Sequence, residues 1–133
     1  MFQLDGIDHI ALAVSDTERS ARWYVEVLGF KRKHDDVWNG RPIFLAKGKT
    51  GIALFQAHND APLVSSKSDH IGMTHFAFHA SEAEFLNAQR DLKSRGINFE
   101  FSDHKISHSI YFLDPDGIRL EITTYEVKNA KLN

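Results

Sequence analysis

Apolar residues along the chain come in two kinds of run, one of strand length and one with helical spacing, and the order of these runs occurs twice. In the first half, Ile7 to Val14 is an aliphatic run that predicts a strand. Ser15 with Glu18 three residues later reads as a capping box opening a helix. Ala21, Tyr24, Val25 and Leu28 then recur at i, i+3, i+4 and i+7, one face of a helix that Gly29 stops. Short strands are expected over Phe30–Lys33, Pro42–Ala46 and Gly51–Ala57, with Asn39-Gly40 as a turn signal. The polar stretch from His58 to Asp69 reads as a linker.

The second half repeats the order. Met73 to Ala80 predicts a strand, Ser81 and Glu84 a second capping box, and Phe85, Ala88 and Leu92 a buried helix face ended by Gly96. Strands are expected over Ile97–Phe101, Ser109–Leu113 and Ile118–Thr124. Asp114-Pro115-Asp116-Gly117 is a strong turn before the last of them, with Pro presetting φ and Gly supplying positive φ. The tail from Glu126 to Asn133 reads as frayed.

Each half is thus β-α-β-β-β, and the prediction is an α+β fold. Module one spans about 4–62 and module two about 70–126 of one domain. A four-stranded sheet with one helix has one covered face and one bare face. Two such modules can pair into a curved mixed sheet around a metal-binding cavity, helices outside.

Composition narrows the function classes. The 133 residues suit one domain with a real core, and 42% hydrophobic with 26% charged residues is the balance of a globular protein. A formal net charge of −2 leaves no basic footprint for nucleic acid. With no Cys, disulfides, thiolate nucleophiles and Cys-bound metals are excluded. No apolar run reaches the roughly 20 residues of a membrane span, and the start lacks the pattern of a signal peptide, so a cytoplasmic location is expected.

The repeat also places chemistry. Asp8-His9-Ile10-Ala11-Leu12-Ala13-Val14 and Thr74-His75-Phe76-Ala77-Phe78-His79-Ala80 each open a strand with a His at the same point. Glu121, between Leu120 and Ile122, faces away from those aliphatics. Two imidazoles and one carboxylate make a facial triad that leaves metal positions open for substrate or water. Taken singly, each His reads more readily as a partly exposed strand residue and Glu121 as an edge charge; the repeat correspondence of the histidines turns the trio toward the metal. His79 shares strand parity with His75. His104 and His108 are candidate general acid/base groups if they approach the metal, and otherwise loop residues. Tyr111 and Tyr125 are candidate pocket donors, while Trp38 and Phe44 fit either a pocket wall or an interface. His34, His58 and His70 read as surface residues.

These motifs, together with Trp23-Tyr24, Leu28-Gly29-Phe30 and Tyr111-Phe112-Leu113-Asp114-Pro115-Asp116-Gly117 followed by Leu120-Glu121, resemble the vicinal oxygen chelate superfamily. That superfamily holds glyoxalases, extradiol dioxygenases, fosfomycin-resistance enzymes, epimerases and bleomycin-binding proteins. The resemblance runs from about Leu4 to Tyr125. It implies paired βαβββ modules, a homodimer, a small-molecule substrate and a divalent metal on His9, His75 and Glu121. Fe(II) or Mn(II) is favoured, with Ni, Zn or Mg as alternatives.

Glyoxalases and epimerases of this pattern use a fourth acidic or amide ligand late in the first half. Here Gly51-Ile52-Ala53-Leu54-Phe55-Gln56-Ala57 has no Glu. Ala53 or Phe55 stands at the ligand point, and Gln56 reaches it only if the register slips. Fosfomycin-resistance enzymes carry a Thr where this chain has Ala11 and a basic C-terminal segment where only Lys128 and Lys131 occur. Extradiol dioxygenases place a His like His104 before the Asp-Pro-Asp-Gly turn and a Tyr like Tyr125 after the ligand Glu. The resemblance therefore implies an enzyme with a dioxygenase-like site, with His104, His108 and Tyr125 as catalytic residues. A lyase or transferase is the alternative, and a non-catalytic bleomycin-resistance-type binding protein is a second one.

Overall fold

A computed structural model of the chain describes residues 1–59 and 71–127. Two compact units divide it, Met1–Pro62 and Leu63–Asn133, and each carries one four-stranded mixed sheet. The fold is α+β.

The first unit runs β1 (His9–Val14), α1 (Thr17–Leu28), β2 (Lys31–Lys33), α2 (Asp35–Trp38), β3 (Ile43–Lys47) and β4 (Thr50–Gln56). Its strands lie in the order β1-β4-β3-β2, with β1 parallel to β4 and the remaining pairs antiparallel. Alternation sorts the side chains. Leu12, Val14, Ile43, Leu45, Ile52 and Leu54 are buried with Ala21 and Tyr24 of α1, which packs on β3 and β4. Tyr24 is 0% exposed and stacks edge-on against Phe30, a burial whose loss on truncation to Ala costs about 3–5 kcal/mol.

Three local expectations shift. The helix cap is Asp16, not Ser15: its carboxylate accepts from the Arg19 amide at 3.0 Å. A charged acceptor at a helix N-terminus also gains from the macrodipole, which favours Asp over the neighbouring Ser. Ser15 Oγ instead accepts from the Arg19 guanidinium, and Glu18 accepts from Arg32. Val25 is 37% exposed, so the buried stripe of α1 is narrower than its periodicity suggests. Asn39-Gly40 does form a turn, but one that closes a helix absent from the expected elements. Both residues have positive φ and end α2, a short helix whose four residues carry no helical stripe long enough to read from periodicity.

The second unit runs β5 (Phe76–His79), α3 (Glu82–Ser94), β6 (Glu100–Asp103), β7 (His108–Leu113) and β8 (Arg119–Thr124). Its order β5-β8-β7-β6, with β5 parallel to β8, repeats the first. Ser81 caps α3 through the Glu84 amide, while the Glu84 side chain accepts from Asn87. Phe85 and Leu92 are buried as expected, and Gln89 joins them. The Asp-Pro-Asp-Gly turn forms: Asp114 Oδ1 accepts from the amides of Asp116 and Ile118, both at 2.9 Å, and Gly117 has φ 83°. This turn sets the β7–β8 register. Most of the expected linker, and the tail beyond Val127, lie outside the described residues.

Gly51 faces His9 in the register of β1 and β4. A Cβ there would lie 2.6 Å from Phe44 Cζ, 2.9 Å from the Asp8 carbonyl oxygen and 2.9 Å from His9 Cβ. The phenyl ring can turn, but the backbone oxygen cannot. Gly51→Ala is therefore expected to cost about 1–3 kcal/mol of stability in chemical denaturation, the range for overpacking. An unchanged midpoint would mean that β1 and β4 are not held this closely.

Candidate metal and substrate site

In the second unit, register places polar residues on one face in two rows. Ala77, Glu121, Tyr111 and Glu100 are successive partners across the sheet, and so are His79, Thr123, Ser109 and Ser102. The opposite face carries Phe76, Leu120, Phe112, Phe78, Ile122 and Ile110, on the side covered by α3. The aliphatic neighbours of Glu121 thus turn it to the face away from α3, as its sequence position implies.

Glu121 is 8% exposed. Its Oε2 lies 2.8 Å from His75 Nε2, and its Oε1 accepts a hydrogen bond from Ser109 Oγ at 2.5 Å. His75 Nδ1 lies 2.9 Å from Thr74 Oγ1. Tyr111, the cross-strand partner of Glu121, packs edge-on to His75 at 5.4 Å. Its Oη is 3.0 Å from His104 Nε2, and the Arg119 guanidinium sits 4.2 Å from its ring centre. Burial pushes the Tyr111 phenol up from its ordinary value, and the Glu121 charge adds to the effect.

The first unit places His9 at the start of β1, with Nδ1 2.8 Å from Asp8 Oδ2 and the ring edge-on to Phe44. Phe44 also contacts His34 and Trp38, and the four rings form one aromatic group. Matching registers shows what differs between the units. Ala11 pairs with Ala53 as Ala77 pairs with Glu121, and Phe44 stands opposite Ala53 as Tyr111 stands opposite Glu121. Ala53 is thus the counterpart of the acid. Gln56 pairs with Val14 at the far end of β4, and its amide hydrogen-bonds the Ser15 carbonyl.

Both imidazoles fit a divalent ion. In each, the side chain of the preceding residue engages Nδ1, so Nε2 is the nitrogen left for a ligand; such an outer partner is the usual companion of a metal-binding His. A buried carboxylate oxygen beside His75 Nε2 supplies the matching anionic donor. Among the described residues no three His, Cys, Asp or Glu side chains are grouped to hold a metal ion. What the structure brings together is the His75–Glu121 pair, with His9 placed by its own unit.

The remaining predicted residues fall in different places. His104 opens the β6–β7 turn and reaches Tyr111. His108 lies on the other face of β7 from Ser109 and Tyr111. It is buried there, with Nε2 3.4 Å from Asp103 and its ring on Phe101. Tyr125 follows the last residue of β8, 60% exposed, with its ring near His79. Sequence reasoning passed over Asp8, Thr74, Ser109 and Arg119. A signal existed for the first two, since a side-chain oxygen precedes the His in both copies.

A profile of the Glyoxalase/Bleomycin resistance protein/Dioxygenase superfamily matches residues 6–122. The chain belongs to this superfamily. Among curated members it is 33% identical over 132 residues to the metallothiol transferase FosB of Staphylococcus epidermidis, covering 96% of this chain and 87% of that one. It is 30% identical over 119 residues to the glutathione transferase FosA of Serratia marcescens, covering 90% and 80%. It is 29% identical to the catechol-2,3-dioxygenase of Bacillus subtilis, covering 87% of this chain but 40% of that protein. The superfamily fold is seen in a glyoxalase/dioxygenase from Nostoc punctiforme, with TM-score 0.77, 24% identity and 91% of each chain covered. The expectation of an enzyme agrees with these curated relatives, which are transferases and a dioxygenase. No helix among the described residues is long and apolar enough to cross a membrane.

The raised Tyr111 value has a testable sign. Folding favours the neutral phenol, so this contribution is present below the ordinary value of 10.0 and is lost as pH rises through the higher folded value. In an ultraviolet absorbance titration of metal-free protein, the phenolate signal that Tyr111→Phe removes should develop above pH 10. Development of that signal below pH 10 would contradict the burial argument.

Proposed function

We propose that this superfamily member is a divalent-metal-dependent enzyme acting on a small oxygen-rich substrate, with a ring-cleaving dioxygenase-type site. The observation that carries the metal is the contact of the buried Glu121, through Oε2, with His75 Nε2, backed by the Nδ1 partners of both histidines. His9, His75 and Glu121 are the proposed ligands, and Fe(II) or Mn(II) the proposed ion. When bound, the ion supplies Lewis acidity at a substrate oxygen.

The chain's own residues do the rest. Tyr111 keeps its proton, so its Oη is a hydrogen-bond donor rather than a base. His104 Nε2, in contact with that Oη, takes up and returns the substrate proton, imidazole being the side chain suited to proton exchange near neutral pH. Arg119, held over the Tyr111 ring, offsets negative charge on the same face. Phe44, His34 and Trp38 present flat aromatic surface beside His9, which suits a substrate with an aromatic ring. His108, on the helix-side face, has no part in this scheme, and Tyr125 serves as a rim donor with His79.

A fosfomycin-resistance-type transferase is the second reading. It is favoured by the near full-length match to metallothiol transferase FosB, against a match to only 40% of the catechol dioxygenase. Ala11 in place of the Thr expected of that branch counts against it.

Metal analysis of untagged protein should find iron or manganese in stoichiometric amount. His9→Ala, His75→Ala and Glu121→Ala should each lower metal affinity by about 10-fold or more. Full metal content in all three variants would remove the site assignment. After anaerobic Fe(II) loading, catechol and O₂ should give oxygen uptake and a yellow product. Thiol consumption with fosfomycin, without oxygen uptake on any catechol, would instead establish the transferase.

A further inference from the structure

We infer that Ser109 is a positioning residue that fixes the carboxylate of Glu121 with its Oε2 turned to the metal. This rests on the metal-dependent reading above and adds a residue and a ligand geometry to it. Ser109 is fully buried on β7, on the same face as Glu121 and Tyr111. A serine hydroxyl has one proton, and Ser109 gives it to Glu121 Oε1 at 2.5 Å. Behind it, Thr123 Oγ1 lies 3.0 Å from Ser109 Oγ and 3.2 Å from the His108 carbonyl oxygen. The carboxylate plane is thereby set by a buried hydrogen bond from β7, with the Thr123 hydroxyl packed against the donor, rather than by solvent. Oε1 holds the serine proton, and Oε2 faces His75 Nε2.

The repeat supports a role tied to the acid. In the first unit Ala53 takes the place of Glu121, and the residue two before Phe44, matching Ser109, is Pro42. Phe55 takes the place of Thr123. Where the carboxylate is missing, both supporting hydroxyls are missing as well. A hydroxyl pair needed only for sheet stability would have equal reason to occur in either unit.

The test is metal binding and spectroscopy, independent of turnover. Co(II) and Mn(II) affinities, together with the visible absorption of the Co(II) protein, are compared for wild type, Ser109→Ala, Ser109→Thr and Thr123→Val. Circular dichroism of each metal-free variant confirms folding. Ser109→Ala should weaken binding by about 10- to 100-fold, the range for outer-shell partners, and change the Co(II) spectrum. Ser109→Thr keeps the hydroxyl and should keep the wild-type spectrum. Thr123→Val removes a buried hydrogen bond one link further out and should weaken binding several-fold less than Ser109→Ala. Wild-type affinity and spectrum in Ser109→Ala would overturn the inference, as would equal losses in Ser109→Ala and Thr123→Val. Failure of the metal reading looks different, because Glu121→Ala would then bind metal as tightly as wild type.

Discussion

The parallel pairing of the first strand of each unit with its last is the constraint on which the site depends. A parallel partner cannot be reached by a hairpin, so the chain must leave the sheet after the first strand, cross on a helix and return through the other strands. That crossover puts the beginning of each unit beside its end. In the second unit it sets Ala77 against Glu121, two residues beyond His75, and so brings an imidazole and a carboxylate from opposite ends of the unit within 2.8 Å. The tight Asp114 turn completes the arrangement, because it fixes the β7–β8 register and with it the pairing of Tyr111 to Glu121.

The two units keep this scaffold and differ in what they hang on it. The second carries an acid, a phenol and two hydroxyls on the face away from α3. The first carries Ala53, Phe44, Pro42 and Phe55 at the matching places, with an aromatic group around His9. Close packing explains part of that difference. Gly51 leaves the space that Phe44 and His9 occupy, and a side chain there would meet the Asp8 backbone. The duplicated frame thus carries charge and hydroxyls in one unit and apolar surface in the other.

Electrostatics then sorts the candidate groups. Glu121 is buried with each oxygen engaged, by His75 and by Ser109. Tyr111 is kept neutral by burial and by that same carboxylate. His104 stands at the exposed end of the chain of contacts. His108, four residues on, is buried on the opposite face, because strand alternation assigns it to the same side as Ile110.

Much of the fold was legible in the sequence because it rests on periodicity, turn chemistry and duplication, all of which are local. The strand–helix–three-strand order, the Gly29 stop, the Asp-Pro-Asp-Gly turn and the outward direction of Glu121 are of this kind. The chain alone also marked His9 and His75 through their places in the repeat, and Glu121 through its place between Leu120 and Ile122. Competition between neighbours was less legible: Asp16 displaced Ser15 as the cap because a carboxylate is the stronger partner for helix amides, and α2 is too short to show a period. Tertiary structure alone decided which atoms meet. That Ser109 holds Glu121, that Thr74 and Asp8 hold the two imidazoles, and that His104 rather than His108 reaches Tyr111 follow from strand register. Register joins residues far apart in the chain, and no local pattern encodes the distance between them.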